Sequence, residues 1–312
     1  MQRIQIVDTQ PAPLLVSGTV AYDDIITPHG TGTRLLGGSA SYAALAASYF
    51  TEVRLAGLVG GDFAARDIQR FRDHAIDTTG LHTDAAGETF FWRGSYHENY
   101  NQRDTLETRL GVNTRSRPPL PPGHEATPFV LLANDAPSLQ LAVLDQLRGT
   151  EFVLADSMNL WIETAREDLL RVIRHASLFV INDSEAVHLS GEDNLILAAR
   201  RLCEMGARIL VIKKGEHGAL LFHAGDLFAL PAHPVTELHD PTGAGDSFAG
   251  AFIGVLAALR RTDFDALKLA MLYATAVASL TVEAFSCDRL ESAGIGEIAA
   301  RVVRLREMVR LP

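Results

Sequence analysis

One short stretch of the chain combines residues that could hold an anion with a carboxylate that could accept a proton. Gly243-Ala244-Gly245-Asp246 stands just ahead of the apolar run 251–256, a pattern that predicts a tight turn opening a buried helix. Glycines permit sharp turns and close approach of a ligand to the backbone. The first N–H groups of a helix lack intrahelical acceptors and can therefore face a phosphoryl group. The helix dipole favours the ionised form of Asp246, which makes this residue a candidate general base.

A simpler interpretation of this stretch is that Asp246 and Ser247 only cap a core helix, and an isolated G-x-G turn would favour it. The complete string over 240–250, D-P-T-G-A-G-D-S-F-A-G, is far more specific. It resembles the signature near the C-terminus of the ribokinase-like (PfkB) family of sugar and nucleoside kinases. The resemblance implies that the backbone of 243–245 forms an anion hole for the transferred phosphate. It also implies that Asp246 deprotonates the acceptor hydroxyl.

Composition narrows the partners and the cellular setting. The chain has 312 residues, 47% of them hydrophobic, and a formal net charge of −10. This acidic balance argues against a nucleic-acid partner or an anionic membrane partner, because both require basic surface. Cys203 and Cys287 have no metal-ligand spacing and predict no disulfide framework, which fits a reducing cytosol. The N-terminus lacks the organisation of a signal peptide and no apolar run approaches a membrane span, so we expect a cytoplasmic protein.

The middle of the chain predicts the scaffold that must position the chemical groups. Apolar strand-like runs at 129–132 and 152–155 alternate with helical patterns, which implies a parallel sheet with helices on both faces. An aromatic, strand-like run at 89–96 interrupts this regularity. The family resemblance implies that this excursion is a small lid over the acceptor site. We therefore expect one ribokinase-like kinase domain over 1–312, an α/β three-layer sandwich with a mostly parallel central sheet and a β lid contributed mainly by about 88–113.

Two N-terminal segments resemble the acceptor site of the family. Asp23 follows the buried strand-like run 14–20 at the offset where the family places a substrate-binding Asp, with a solvated turn as the alternative. A glycine pair before a helix of small residues resembles the family's N-terminal signature, which implies substrate contacts from Gly38, Ser39 and Tyr42. The family commonly has a sugar-binding Asn at the last of these positions. Tyr42 could instead stack on a base, pack the helix start, or hydrogen-bond a sugar through its hydroxyl.

The lid adds a cluster of aromatic side chains whose role the sequence leaves open. These rings could stack on a nucleoside base, pack the lid onto the body, or contact a second subunit in a homodimer. A nucleoside and a free sugar are for this reason both retained as acceptors. The rings concerned are those of Phe90, Phe91, Trp92, Tyr96 and Tyr100.

Two strand ends predict the nucleotide side of the site. Asn182 and Glu185 form an N-x-x-E element, which resembles the family element that organises Mg²⁺ around the nucleotide phosphates, partly through water. Carboxylate, amide and water oxygens suit Mg²⁺, although the same two residues could simply cap the next helix. Lys213 and Gly215 follow the apolar strand 208–212, where the family contacts ATP. A solvated strand end is the alternative for the lysine.

These resemblances imply an ATP-dependent kinase that phosphorylates a hydroxymethyl group of a small sugar or nucleoside. ATP and Mg²⁺ are the expected cofactors, and a requirement for a monovalent cation is left open. Phosphoryl transfer depends mainly on positioning and on stabilisation of charge, which the turn at Asp246 and the lid are expected to supply. A non-catalytic sugar or nucleotide sensor on the same fold would need neither Asp246 nor the N-x-x-E element. A phosphohydrolase is the other alternative, and it would release ADP without an acceptor.

Overall fold

The chain forms alternating strands and helices in the computed structural model, which describes residues 3–6, 10–100 and 102–310. The strands are β1 (Leu14–Ser17), β2 (Ala21–Thr27), β3 (Gly30–Gly37), β4 (Val53–Gly60), β5 (Ile76–Asp84), β6 (Phe90–Tyr96), β7 (Arg103–Arg109), β8 (Phe129–Leu132), β9 (Phe152–Asp156), β10 (Leu178–Asn182), β11 (Ile209–Lys213), β12 (Ala219–His223) and β13 (Asp226–Leu230). The helices are α1 (Ser39–Ser48), α2 (Ala65–Asp73), α3 (Pro137–Leu144), α4 (Asn159–Thr164), α5 (Arg166–His175), α6 (Asp183–Ser190), α7 (Leu195–Met205), α8 (Ala244–Leu259), α9 (Phe264–Thr281), α10 (Asp288–Ser292) and α11 (Ile295–Met308), with 3₁₀ turns at Gly111–Thr114 and Gly215–His217.

The central sheet has nine strands among the described residues, in the order β13-β12-β11-β10-β9-β8-β1-β4-β5. The strands from β11 to β5 pair in parallel, and β12 and β13 add an antiparallel hairpin at one edge. Strands such as Phe129–Leu132 are buried along their whole length because helices cover both faces of the sheet. The predicted α/β sandwich with a mostly parallel central sheet is confirmed. Its parallel strands align their carboxyl ends at one edge, where α/β folds bind ligands.

The two faces of this sheet bury alternate side chains of each strand. In β1, Leu14 and Val16 pack in the cluster that contains α1 and α8, whereas Leu15 belongs to the cluster on the opposite face. α8 is buried from Ser247 to Leu259 because it lies against the sheet and between α1 and α9. A helix in such a position is apolar on every side. The central sheet and its neighbours thus hold the N-terminus of α8 at the edge of the core.

A second sheet of four strands, in the order β3-β2-β6-β7, forms the lid. β2 pairs with β6 in parallel, while the outer pairs β2–β3 and β6–β7 are antiparallel. β6 and β7 fall in the stretch 88–113 that the sequence assigned to the lid, whereas β2 and β3 do not. Asp23 consequently lies inside a lid strand and not in a turn after β1. The sequence 21–27, A-Y-D-D-I-I-T, conceals this strand because two adjacent carboxylates interrupt its alternation.

α9 bears on the expectation that no apolar run approaches a membrane span. It is 18 residues long with a mean hydropathy of 1.2, so by length and composition alone it could cross a membrane. The expectation was therefore wrong for Phe264–Thr281. Within the fold, 67% of this helix is buried, and it packs against α8 and α11. A core helix of a globular protein has the same length and composition, so this feature is weak evidence for a membrane segment.

Candidate active site

The turn before α8 is held in place by a buried carboxylate that the sequence analysis had not selected. Asp240 is 0% exposed and accepts hydrogen bonds from the N–H of Thr242 at 2.9 Å and from the N–H of Ser286 at 3.3 Å. Burial raises the pKa of Asp240, and these hydrogen bonds oppose that rise. Gly243 caps the helix with φ of 77°, a left-handed conformation that favours glycine. The turn is therefore preorganised by the fold.

The backbone of this turn presents N–H groups toward the cleft. The N–H of Ala244 bonds the carbonyl of Pro241 at 3.3 Å, and that of Ser247 bonds the carbonyl of Gly243 at 2.8 Å. In the part of the chain that the structure describes, the N–H groups of Gly243 and Gly245 have no backbone acceptor. Such orphan donors at a helix N-terminus suit an anion. The geometry therefore allows the N–H groups of the two glycines to bind a phosphoryl group, whereas the N–H of Ala244 already donates to Pro241.

Asp246 lies half-buried on the first turn of α8, one residue past these donors. Burial raises its pKa to about 6, and the nearby Asp156 carboxylate adds to the rise. The cations of Lys213 and Arg103 act in the opposite direction and limit it. A carboxylate with a pKa near 6 is mostly ionised at neutral pH and remains basic enough to accept a proton. Its position and its pKa both suit a general base.

Lys213 points from the end of β11 under the turn and is not a solvated strand end. Its side chain is 16% exposed, and its Nζ lies 3.2 Å from Oδ2 of the buried Asp156. Burial alone lowers the pKa of Lys213, but the carboxylates of Asp156, Glu185 and Asp246 outweigh burial and raise it. A Cβ on Gly245 would lie 2.9 Å from the ammonium. The absence of a side chain at Gly245 therefore leaves room for the cation beneath the anion turn.

Asn182 and Glu185 both cap α6, and Glu185 interacts with the charges of Lys213 and Asp156. The Asn182 side chain accepts from the N–H of Glu185 at 2.8 Å, and Oε2 of Glu185 accepts from the N–H of Asn182 at 3.0 Å. This is a capping box. Glu185 is 5% exposed, and burial raises its pKa to about 7 while Lys213 opposes the rise. The helix-cap alternative is thus correct for both residues, and it leaves the second carboxylate oxygen of Glu185 for another ligand.

The donor set fits Mg²⁺ only as part of a nucleotide complex. Among the described residues there is no group of three or more His, Cys, Asp or Glu side chains that could hold a metal ion. Mg²⁺ in phosphoryl-transfer sites is commonly held by one or two carboxylates together with substrate phosphates and water. Oε1 of Glu185 accepts no hydrogen bond from the residues that the structure describes, and it is an oxygen of the required kind. Gly215 begins the 3₁₀ turn after β11 with φ of 52°, at the same sheet edge.

Asp23 reaches the site from the lid strand β2. It is 4% exposed, and burial raises its pKa to about 8, with further contributions from Asp240 and Asp246. A hydrogen bond from the N–H of Gly38 opposes this rise. Gly38 has φ of 88°, and a Cβ there would overlap the carbonyl oxygen of Thr19. Asp23 is consequently held against the glycine pair, close to Asp240 and Asp246.

Ser39 and Tyr42, for which the sequence predicted substrate contacts, are both buried at the start of α1. Ser39 Oγ accepts from the N–H of Thr19 at 3.3 Å and donates to the carbonyl of Asn134 at 2.7 Å, so it ties α1 to the ends of two strands. Tyr42 is 1% exposed, and a Cβ on Gly243 would overlap its ring. The ring therefore packs beneath the turn and offers no face to a base. Substrate contacts from these two residues stay a prediction, and α1, which carries both, is buried along its entire length.

Arg103 is a site residue that the sequence analysis missed. It opposes Tyr96 in the β6–β7 pair and contacts the Tyr96 hydroxyl, which lies 3.0 Å from the Thr242 hydroxyl in the anion turn. Desolvation lowers the pKa of Arg103, but Tyr96 and the carboxylates of Glu185 and Asp246 outweigh it and raise the pKa. The polar stretch around position 103 has no motif, so no sequence signal could have indicated this role. The lid therefore brings a cation and a hydrogen bond to the anion turn.

Replacing Asp23 with Asn is expected to stabilise the protein while impairing acceptor binding. The folded chain keeps the proton of Asp23 up to about pH 8, whereas the unfolded chain releases it near pH 4. Asp23 therefore costs stability progressively as the pH rises through this window, and the Asn variant avoids that cost. We expect the Tm advantage of Asp23→Asn to grow from about pH 5 to pH 8.5 in thermal melts, and the KM for the acceptor to rise at least about tenfold.

The matched control for this variant is Asp24→Asn, on the opposite face of the same strand. Asp24 accepts from the N–H of Arg34 at 2.7 Å and is half-buried. Its substitution is expected to leave the acceptor KM unchanged. A Tm for Asp23→Asn below that of the parent at every pH would show that the buried carboxylate is not a cost to folding.

Comparison with known proteins agrees with this arrangement. The model of the pfkB family of carbohydrate kinases matches residues 133–293. The chain is 31% identical over 247 residues to the cytidine kinase of Thermococcus kodakarensis, covering 77% of this chain and 87% of that protein. It is 28% identical over 261 residues to the aminoimidazole riboside kinase of Salmonella typhimurium, covering 80% of this chain and 82% of that protein.

A similar fold is found in the nucleoside kinase of Burkholderia thailandensis, whose structure was solved in complex with inosine. It superposes with a TM-score of 0.76 over 94% of this chain and 98% of that chain, at 20% sequence identity. That likeness supports the fold alone, whereas the family match and the identity to the cytidine kinase concern the sequence itself. The chain belongs to the pfkB family of carbohydrate kinases and is a sugar or nucleoside kinase.

Proposed function

We propose that this kinase transfers the γ-phosphate of ATP to a hydroxymethyl group of a small sugar or nucleoside, with Asp246 as the general base. One observation carries the proposal: Asp246 stands beside the orphan N–H groups of Gly243 and Gly245, with Asp23 close by on the lid side. The acceptor hydroxyl and the phosphate would therefore meet at the start of α8. The names of the relatives, a cytidine kinase and an aminoimidazole riboside kinase, support an acceptor of this class.

Each part of the site has a distinct task in this mechanism. Asp23 holds acceptor hydroxyls, and Asp246 accepts the proton of the attacking hydroxyl, a contribution typically worth about 10²–10⁴-fold in rate. The N–H groups of the turn and the Lys213 ammonium stabilise charge on the transferring phosphoryl group. Mg²⁺, when bound with the nucleotide, neutralises phosphate charge. Asn182 and Glu185 would hold it, partly through water, while Gly215 and Lys213 line the nucleotide side.

Replacing Glu185 with Gln is expected to raise the Mg²⁺ concentration that gives half-maximal activity, by several-fold. Gln at this position preserves the capping box, so the variant removes the charge and keeps the helix start. The physical reason is that Mg²⁺ prefers charged oxygen ligands. The measurement is activity against Mg²⁺ at saturating ATP, with Glu204→Gln as a control because Glu204 lies exposed on α7 and pairs with Arg201. An unchanged dependence of activity on Mg²⁺ concentration would show that Glu185 caps α6 and does not hold the metal.

The proposed function is tested by acceptor-dependent ADP formation with a panel of sugars and nucleosides. A phosphoryl-transfer enzyme forms ADP only when its acceptor is present, and the product carries the phosphate. ADP release without any acceptor would instead indicate a phosphohydrolase, and binding without turnover would indicate a sensor. The monovalent-cation requirement and the homodimer through the lid stay predictions. The first is tested by comparing the activity in a potassium salt with that in a tetraalkylammonium salt. The second is tested by sedimentation velocity.

A further inference from the structure

The loop that follows β4 carries a carboxylate that joins two separate segments of the lid. Oδ1 of Asp62 accepts hydrogen bonds from the N–H and from the hydroxyl of Thr89, each at 2.7 Å. Thr89 is buried and stands directly before β6, where the chain enters the lid. Nη2 of Arg34, on β3, donates to the carbonyl oxygen of Asp62 at 2.8 Å and to its Oδ2 at 3.2 Å. Asp62 therefore binds the lid both at the start of β6 and at β3.

A third lid strand, β2, is held at the same place through Tyr22. Its hydroxyl donates to Oδ2 of Asp67 in α2 at 2.7 Å and accepts from the N–H of Ala64 at 2.9 Å. Cζ of Arg34 lies 4.1 Å from the centroid of the Tyr22 ring, within the range of a cation–π contact. Tyr22 adjoins Asp23, and neighbouring residues of a strand project to opposite faces. The body therefore holds β2 through Tyr22 on one face while Asp23 reaches the candidate active site from the other.

The residues of the body that receive these contacts, Asp62, Ala64 and Asp67, form the lid seat. Burial alone raises the pKa of Asp62, but the hydrogen bonds from Thr89 and Arg34 outweigh burial and lower it. The Asp62 carboxylate is therefore ionised at neutral pH. Hydrogen bonds to an ionised acceptor are roughly twice as strong as neutral ones. The charge of the lid seat thus lies where β3 and β6 are tied to the body.

Arg34 reaches the lid seat from a strained backbone. Its φ of 49° is left-handed, a conformation that costs free energy for a residue with a Cβ. The register of the β2–β3 pair shifts beside it, between Asp23 and Ile25, and bulges of this kind change the direction of a side chain. Such strain persists only where the surrounding contacts determine it. For Arg34 those contacts are the ones with Asp62 and Tyr22.

We propose that Arg34 is a positioning residue, which fixes the lid on the lid seat and thereby sets the position of Asp23 relative to Asp246. The inference rests on the proposed function, in which one acceptor molecule contacts both carboxylates. Asp23 belongs to the lid sheet and Asp246 to a helix of the body, so their separation depends on how the lid sits on the body. Arg34 acts through Asp62 and Tyr22, without contact to the acceptor.

The first test compares Arg34→Gly with Arg260→Gly. Both arginines are exposed and left-handed, with φ of 49° and 51°, and Arg260 ends α8. The end of α8 is about 20 Å along the helix from the anion turn. Glycine relieves the strain in both variants, so the Tm of Arg34→Gly should stay close to that of the parent despite the lost ion pair.

The kinetic effects of these two variants are expected to differ. In Arg34→Gly the KM for the acceptor should rise by about three- to tenfold, while the KM for ATP stays unchanged because the nucleotide side lies on the central sheet. Arg260→Gly should leave both KM values unchanged. An unchanged acceptor KM in Arg34→Gly, or an equal rise in the KM for ATP, would overturn the positioning role.

A double-mutant cycle tests whether Arg34 acts through Asp62. In Asp62→Asn the amide oxygen can still accept from Thr89, but the charge that faces Arg34 is lost. We expect Asp62→Asn to raise the acceptor KM, and the double variant to raise it by clearly less than the product of the two single effects. Single effects that simply multiply would show that the two residues act independently.

Amide hydrogen exchange tests the lid seat without an acceptor. In Arg34→Gly the amides of β2, β3 and β6 should exchange faster than in the parent, because detachment of the lid no longer breaks the contacts with Asp62, and the central sheet should be unaffected. Unchanged exchange in the lid would contradict the proposal. If no acceptor supports ADP formation, the proposed function fails while the exchange still decides whether Arg34 holds the lid. If ADP forms and lid exchange rises with no change in acceptor KM, the kinase function stands and the positioning role is wrong.

Discussion

In the Asp246→Asn variant, kcat is expected to fall by at least about 10²–10⁴-fold while the affinity for ATP is retained. The amide is nearly isosteric with the carboxylate but cannot accept the proton of the acceptor hydroxyl. The substitution leaves the Lys213 ammonium and the orphan N–H groups of the turn in place to bind the phosphates. Steady-state kinetics with the identified acceptor and nucleotide binding by calorimetry measure the two effects separately. Near-normal kcat would remove Asp246 from the role of general base.

Asp265→Asn is the matched control for this variant. Asp265 also lies in the first turn of an apolar helix, α9, but it is exposed and pairs with Lys268. Its substitution is expected to leave kcat unchanged.

The pH dependence of the parent enzyme supplies an independent check of the base. The raised pKa of Asp246, about 6, means that the carboxylate is protonated below this pH and cannot accept a proton. The value of kcat/KM should therefore rise with pH through about 6 and level off above it. In Asp246→Asn this ascending limb should disappear from the residual activity. A limb that persists in the variant would assign it to another group, such as Glu185.

Replacing Gly243 with Ala is expected to lower kcat/KM by at least about 100-fold, the typical loss when one donor of an anion hole is misplaced. Gly243 has φ of 77°, and a Cβ there would overlap the ring of Tyr42, which is buried and cannot move aside. The turn must therefore shift, and its orphan N–H groups shift with it. Activity and melting temperature together measure the effect.

Gly191→Ala separates backbone strain from the clash in this experiment. Gly191 ends α6 with φ of 76°, nearly the same conformation, but a Cβ there would meet nothing within 4 Å. Both variants should lose about 1–2 kcal/mol of stability from the left-handed conformation. Gly191→Ala alone should retain full activity. Equal kcat/KM values for the two variants would show that the position of the anion turn does not control catalysis.

Local sequence was a reliable guide wherever a group acts through its own neighbours in the chain. The turn 243–246 and the capping box of Asn182 and Glu185 are each formed within a few residues. Their glycines and polar side chains can therefore be recognised in the sequence. The alternating apolar runs likewise predicted the parallel sheet, since burial on both faces requires continuous hydrophobic strands. The sequence of a long apolar segment does not show, however, whether the segment lies in a protein core or in a membrane. α9 reads like a membrane span, although most of it is buried between other helices.

The roles of single side chains depended on which elements pack together. Tyr42 resembled an acceptor contact by position in its motif, and the packing of α1 against α8 encloses its ring beneath Gly243. Lys213 resembled a solvated strand end, but Asp156 from a strand more than fifty residues earlier meets it in the core. Neither partner is predictable from local sequence. Pairing across such distances is decided by strand order and helix packing.

The sequence by itself determined the chemistry at the start of α8, because a helix N-terminus needs only adjacent residues to align its N–H groups and a carboxylate. The tertiary structure alone decided what surrounds that chemistry. The parallel pairing of β2 with β6 places Asp23 beside Trp92, and the β6–β7 pairing brings Arg103 to Tyr96 and the anion turn. Those contacts join residues far apart in the chain, and their energies arise only once the lid sheet has formed and packed against the turn.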